Sequence, residues 1–194
     1  MRIATDYLGI HVCVVRTCKA LADPKLPCKL PEIEIRKIEH SELVKASEDL
    51  SIDLESDFIA EALDRGDIGF GAFDDGVLVA YTWRTRTFAP HTDKVWIKVE
   101  RPYSYCYKSF TRPAYRGQRL LPSLILHSDA EMLKLGFTHR AGFVAVTNFA
   151  SLEVGKHMGA EAIGHAAFVL LFGRCLSIRS KAVKKIGFEF FVRE

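Results

Sequence analysis

Apolar and polar positions alternate along this chain with two different periods, and each period predicts its own elements. Residues 10–17, IHVCVVRT, are rich in β-branched side chains and read as a strand. Pro24, Pro27 and Pro31 come next, marking an irregular, partly extended connector. EIEIRKIE at 32–39 alternates with period two, as a half-buried strand does. Ser41 is placed to cap a short helix through residue 50. Over 55–65, Phe58, Ile59, Ala62 and Leu63 share one helical face, and Gly66 is the stop. Residues 67–89 read as two strands joined at Asp74-Asp75-Gly76, a hairpin turn. Strands at 95–100 and 103–111 come next. A helix over 118–135 stops at Gly136, a strand covers 139–147, and a helix over 149–158 stops at Gly159. The last thirty-five residues alternate apolar with basic and read as two strands.

The order is β, α, α, several strands, then α, β, α, β, β. It predicts an α/β chain with a mixed sheet flanked by helices. The step from strand 103–111 through helix 118–135 to strand 139–147 predicts a right-handed crossover, with those two strands parallel.

One junction in this order carries chemistry. Between strand 103–111 and its helix stands Arg116-Gly117-Gln118-Arg119. The first amides of a helix lack intrahelical partners and carry the positive end of its dipole. Gly117 removes a Cβ where a ligand would touch backbone. Arg116 and Arg119 add charge, and Pro122 is tolerated in a first turn. These features suit a phosphate or diphosphate. They also suit an ordinary helix start with solvated arginines, and spacing alone leaves both readings open.

The run Thr111-Arg112-Pro113-Ala114-Tyr115-Arg116-Gly117-Gln118-Arg119-Leu120-Leu121 resembles the acyl-CoA-binding motif of the GNAT superfamily of N-acetyltransferases, written Q/R-x-x-G-x-G/A after a V-x-P-x-Y-R-G lead. Thr111, Pro113, Tyr115, Arg116 and Gly117 fit the lead, with Thr for Val. Arg119 and Leu121 stand where the motif has Gly and Gly or Ala. A second segment resembles the family's N-x-x-S/A … G-F run through Asn148, Ser151 and Gly159. The tyrosine that the family often has seven residues after this Asn, a general acid toward the coenzyme thiolate, is Gly155 here, and Ala160 replaces the usual Phe. The resemblance covers residues 32–172. It leaves residues 1–31 as an added strand and connector before a single acyltransferase-like domain, 32–194.

The resemblance implies a GNAT-like fold and direct attack of an amine on the thioester of acetyl-CoA or another acyl-CoA, the co-substrate. It implies a slot between two splaying parallel strands, 103–111 and 139–147. Pantetheine would lie along Ser109, Phe110 and Thr111. The diphosphate would lie over Arg116, Gly117, Gln118, Arg119, Leu120 and Leu121, with Asn148 and Ser151 completing the coenzyme set. The base is less defined. Strict alternation puts Tyr103, Tyr105, Tyr107 and Ser109 on one face of their strand. Tyr107 is the candidate catalytic residue, without an assigned acid or base role, against the alternative that these rings simply pack. Glu100 is a second candidate, at a strand end where a solvated role is the simpler account.

Composition bounds these readings. The 194 residues are 48% hydrophobic and carry a net charge of +3, enough for one core and tolerant of an anionic ligand. No apolar run reaches the length of a membrane-spanning helix. Nothing in residues 1–15 reads as a signal peptide. Five cysteines without C-x-x-C pairs predict reduced thiols, mostly buried, in a cytoplasmic protein. GFGAFD at 69–74 lies in a hairpin, so it reads as strand glycines in close backbone contact and not as a nucleotide loop. No P-loop, G-x-S-x-G or H-E-x-x-H motif occurs, and no metal site is expected. Arg174, Arg179, Lys181, Lys184, Lys185 and Arg193 read as a solvated strand face in preference to a nucleic-acid contact.

The expected function is acetyl transfer to a small amine. Two rivals are an acyltransferase using a longer chain or an acyl carrier protein, and an inactive coenzyme-binding module that regulates a partner. The added N-terminal strand offers a route to a homodimer by pairing between subunits.

Overall fold

The computed structural model describes residues 10–25, 27–172 and 174–193. The stretch before Ile10, part of the signal-peptide reading, lies outside them. Contacts divide the chain into two units. The middle unit holds Ala20–Thr85 and Cys106–Gly136; the terminal unit holds the chain up to Lys19, Arg86–Tyr105 and the chain from Phe137.

In the middle unit, β2 (Glu34–Lys37), β3 (Ile68–Asp74) and β4 (Val77–Thr85) pair antiparallel in sequence order. β3 and β4 are joined as expected at Asp75-Gly76, both with positive φ. The residues of β7 (Tyr103–Thr111) from Cys106 onward lie beside β4. From Leu78 to Thr85 every residue of β4 is buried, as befits a strand covered on both faces. Gly71 explains itself by space: a Cβ there would come within 2.7 Å of Leu78 and Phe73.

Two helices precede β3. The first, α1 (His40–Ser47), begins before the Ser41 cap expected from sequence. The Glu39 amide donates to the Glu42 carboxylate at 2.9 Å, which starts the helix earlier. Arg36 holds that carboxylate from the other side at 2.7 Å and keeps its pKa below the ordinary value. α2 (Ser56–Asp64) buries Ile59 and Ala62.

The helix after β7, α3 (Leu120–Lys134), is the element on which the candidate site depends. Its N-terminal Leu120 and Leu124 pack into a cluster with Phe70, Ala72, Val79 and Ala80 from β3 and β4. Farther along, Asp129 meets Arg84 of β4 at 2.8 Å, with both side chains at most 2% exposed. The helix is therefore fastened at two points, one apolar and one ionic.

The terminal unit contains a mixed sheet. β1 (Ile10–Lys19) lies between β8 (His139–Ala145) and β9 (Glu161–Leu171), antiparallel to both, and β10 (Arg174–Arg179) pairs with β9. β8 runs parallel to the first residues of β7, from Tyr103↔His139 to Tyr105↔Ala141, as the crossover predicts. β1 is thus an interior strand and not an addition at an edge. Its two sides pair within the chain.

A second sheet, β5 (Phe88–Pro90), β6 (Val95–Lys98) and β11 (Glu189–Val192), presents Phe190 to Phe143 and Phe168, with centroids 5.4 and 4.7 Å away. α4 (Phe149–His157) comes after β8.

The C-terminal stretch holds β9, β10, a short helix α5 (Lys181–Lys185) and β11, where sequence alternation predicted two strands. α5 turns Val183 inward and leaves Lys181, Lys184 and Lys185 exposed, so these lysines belong to a helix and not to a strand face. All five cysteines are free thiols. Cys13 and Cys18 are buried and the others partly so, and burial pushes the Cys13 thiol up to about 12. Among the described residues no helix is long and apolar enough to cross a membrane.

Removing Asp129 leaves the Arg84 guanidinium buried without its carboxylate. Asp129→Ala is expected to lower stability by about 3–5 kcal/mol in urea unfolding, the range for breaking a buried pair on one side. An effect below about 1 kcal/mol would show that α3 is held by its apolar contacts alone.

Candidate diphosphate cradle

The turn between β7 and α3 is built in layers. Arg112 turns away from solvent: its Nε donates to Leu78 O at 2.9 Å, and its Nη atoms reach Ser51 at 2.6 Å and the Asp49 carboxylate. Its backbone amide donates to Val79 O. Tyr115, at the end of the 3-10 turn Pro113–Tyr115, donates its phenol to Asp74 at 2.5 Å, and its ring packs on the cluster around Leu120. The carboxylate raises the Tyr115 pKa, so the phenol keeps its proton. These two residues strap the turn to the sheet. Sequence reading passed over Arg112 because a strap and a solvated arginine look alike without coordinates.

With the turn held, Gly117 adopts φ +78 and Arg119 φ +61, both left-handed. Arg119 is the residue before the helix, which is why α3 starts at Leu120 and not at Gln118. Among the described residues the amides of Gly117, Gln118, Arg119, Leu120 and Leu121 have no hydrogen-bond acceptor. Nothing lies within 4 Å of where a Gly117 Cβ would be. Arg116, Gly117 and Arg119 are exposed. The Arg116 Nε leans back to Thr111 O at 3.3 Å, and among the described residues no carboxylate pairs with Arg116 or Arg119. The result is a row of free donors at the positive end of a fifteen-residue helix, flanked by two unpaired cations.

The strand leading into the turn departs from strict alternation. Lys108 has φ +42, a left-handed residue inside the strand. Thr82 Oγ1 lies 3.1 Å from Cys106 Sγ and 2.7 Å from Ser109 Oγ, so Ser109 shares the side of Cys106 and not that of Tyr107. The Lys108 ammonium meets Asp53 at 2.8 Å and lies 5.0 Å from the centre of the Phe58 ring. Phe110 stacks on Tyr81. Tyr107 is buried and donates to Asp67 Oδ2 at 2.7 Å, while Arg65 Nη2 donates to its oxygen at 3.1 Å. Burial, reinforced by the Asp67 charge, raises its pKa far above the ordinary phenol value. At neutral pH Tyr107 stays protonated, locked in an ionic cluster.

Asn148 and Ser151 stand together in the terminal unit, at the start of α4. The Asn148 side-chain oxygen accepts the Ser151 amide at 3.1 Å, the bond of a helix cap. Both residues are exposed. Gly155 has a reason that sequence could not reveal. Arg16, on β1 and only 6% exposed, sends its guanidinium to Leu152 O at 2.5 Å and Ala160 O at 2.6 Å. A Cβ on Gly155 would lie 2.8 Å from Arg16 Cζ. An arginine from a distant strand takes the room that a side chain at 155 would need. The terminal unit also has a cavity of about 230 Å³, with Phe143, Phe168, Phe190, His11 and His91 in its lining. No Lys or Arg lines it.

Two substitutions separate conformation from charge in the turn. Gly117→Ala is expected to cost about 1 kcal/mol, because φ +78 strains an L-residue even in open space. Arg119→Gly is expected to gain a similar amount by releasing the same strain. Urea unfolding of both variants checks the opposite signs; a loss from Arg119→Gly would mean that its side chain stabilises the turn.

Comparison with known proteins bears on this geometry. No family model and no curated protein matches the sequence. Solved structures do. A GCN5-related N-acetyltransferase from Sphaerobacter thermophilus aligns over 98% of this chain and 54% of its own, with 9% identity and a TM-score of 0.55. One from Kribbella flavida aligns over 82% and 58%, with 12% identity and a TM-score of 0.54. An aminoglycoside N-acetyltransferase in complex with CoA aligns over 67% and 90%, with 16% identity and a TM-score of 0.50. The chain spans little more than half the length of the first two. At these identities the likeness is one of architecture, and it agrees with the mixed sheet, the parallel β7–β8 pair and the helix after the turn: the chain has the fold of the GNAT N-acetyltransferases.

Proposed function

We propose that this protein is an acyl-CoA-dependent N-acyltransferase that moves an acetyl group from acetyl-CoA to the amine of a small molecule. The observation that carries this reading is the row of five unpartnered amides from Gly117 to Leu121. A diphosphate accepts several hydrogen bonds at once and carries the charge that a helix N-terminus favours. Arg116 and Arg119 supply the counter-charge. The backbone of Ser109, Phe110 and Thr111, directly upstream on β7, is the track for the pantetheine amides. Asn148 and Ser151 belong to the same coenzyme set in this reading.

In the reaction the amine nitrogen attacks the thioester carbonyl. The ammonium first gives one proton to water; then the carbon–nitrogen bond forms, the carbon–sulfur bond breaks, and the second proton leaves the nitrogen while the departing thiolate takes one. Tyr107 is assigned a positioning role, since its proton is held by Asp67 and its own oxygen by Arg65. The hydroxyls of Thr82 and Ser109, 2.7 Å apart and leading from a buried site to an exposed one, are the groups through which a proton could pass to water.

A second reading keeps the coenzyme and drops the turnover. Gly155 offers no acid to the thiolate, and Arg16 fills the space where one would start. In that case the chain binds acyl-CoA and regulates a partner.

Calorimetry with CoA tests the site. Arg116→Glu is expected to weaken binding at least tenfold and Gly117→Pro to abolish it; unaltered affinity in both variants sinks the cradle. Thiol release measured with acetyl-CoA and with longer acyl donors, across a panel of amines, then separates the readings. Release above the hydrolytic background with acetyl-CoA supports acetyl transfer. Preference for a long chain moves the donor assignment, and tight binding without release favours the regulatory reading.

A further inference from the structure

The connector between β1 and β2 runs beside the cradle. The Lys29 amide donates to Gln118 O at 3.1 Å, in the middle of the turn. One residue earlier, Cys28 packs against the cluster containing Leu120 and Leu124, with its thiol on Leu30 O. The connector is therefore fixed on both sides of one peptide: Cys28 packs on the core, and Lys29, the next residue, is exposed. No carboxylate pairs with Lys29 among the described residues. Its backbone is tied to the one residue that separates Gly117 from Arg119, so the reach of its side chain is centred on the turn that holds the free amides.

We infer that Lys29 is a third cation of the acyl-CoA site, a specificity residue that favours the multiply phosphorylated nucleotide end of CoA over a singly phosphorylated pantetheine arm. This rests on the coenzyme reading given above and extends it to a segment outside the family-like region. The diphosphate and 3′-phosphate of CoA carry more charge than a few amides and two arginines neutralise. An acyl carrier protein presents a single phosphodiester instead. A cation brought in by the connector therefore biases the choice of donor toward CoA. Being held by its backbone, Lys29 can lose its side chain without loosening the turn.

The test is calorimetry on the full chain with two probes, CoA and 4′-phosphopantetheine. Lys29→Ala is expected to weaken CoA binding about tenfold, as loss of one charge-assisted contact does. Phosphopantetheine should change by less than about threefold, and Lys29→Arg should restore CoA affinity. The CoA loss should also shrink as salt rises. Unchanged CoA affinity in Lys29→Ala overturns the inference, and so does an equal loss on both probes, which would mark a general disturbance of the turn. Failure of the unaltered protein to bind CoA is a different result: it removes the coenzyme reading itself. Equal melting temperatures of the variants serve as the folding control.

Discussion

The buried pair between Arg84 and Asp129 is the constraint on which the rest of the middle unit turns. A helix terminus serves as an anion site only if it is aimed and held there; a rocking helix averages its dipole away. Leu120 and Leu124 hold the first turn of α3 by packing, which resists separation but permits sliding. The 2.8 Å contact between Arg84 and Asp129, farther along the helix, supplies the directional restraint that packing lacks. A pair this deeply buried contributes little net stability. Its geometry instead ties one point of the helix to one point of the strand.

The same logic runs through the turn. Arg112 and Tyr115 use their polar groups on β4, Asp74 and Asp49, so the amides from Gly117 to Leu121 are not needed to hold the turn to the sheet. Donors left free on a mobile loop would be solvated and diffuse. Donors left free on a strapped loop keep their directions, and the strap accounts for both the left-handed residues and the open space at Gly117.

Much of this was legible in the chain. The alternation and helical spacing located nearly every element of the middle unit, because each amphipathic face there packs on its own neighbours. The turn at Arg116-Gly117-Gln118-Arg119 was legible because glycine and a helix start have local causes. The hidden features depended on partners far away in sequence. Strict alternation put Ser109 with Tyr107, but a left-handed residue at Lys108 breaks the alternation, and Ser109 meets Thr82 on the side of Cys106. Gly155 looks like a lost tyrosine in the sequence, whereas in the fold Arg16, from a strand far upstream, occupies its space. The strand carrying Arg16 looks dispensable for the same reason: nothing in IHVCVVRT says that both its edges will be used.

Arg119 shows how the two kinds of constraint trade against each other. The position demands a left-handed residue, and glycine would meet that demand without strain. An arginine there costs about 1–2 kcal/mol of conformational energy. A fold selected for stability alone has no reason to accept that cost at an exposed residue whose side chain makes no ion pair among the described residues. A site selected for an anion does, because the strained residue places a guanidinium at the end of a row of five free amides. Lys29 carries the same sense without the strain: its backbone is bonded to the turn while its charge stays free. Two exposed basic residues from unrelated segments are thus anchored at the same turn, and one of them is kept at a conformational cost. That convergence is harder to explain by folding than by a ligand rich in phosphate.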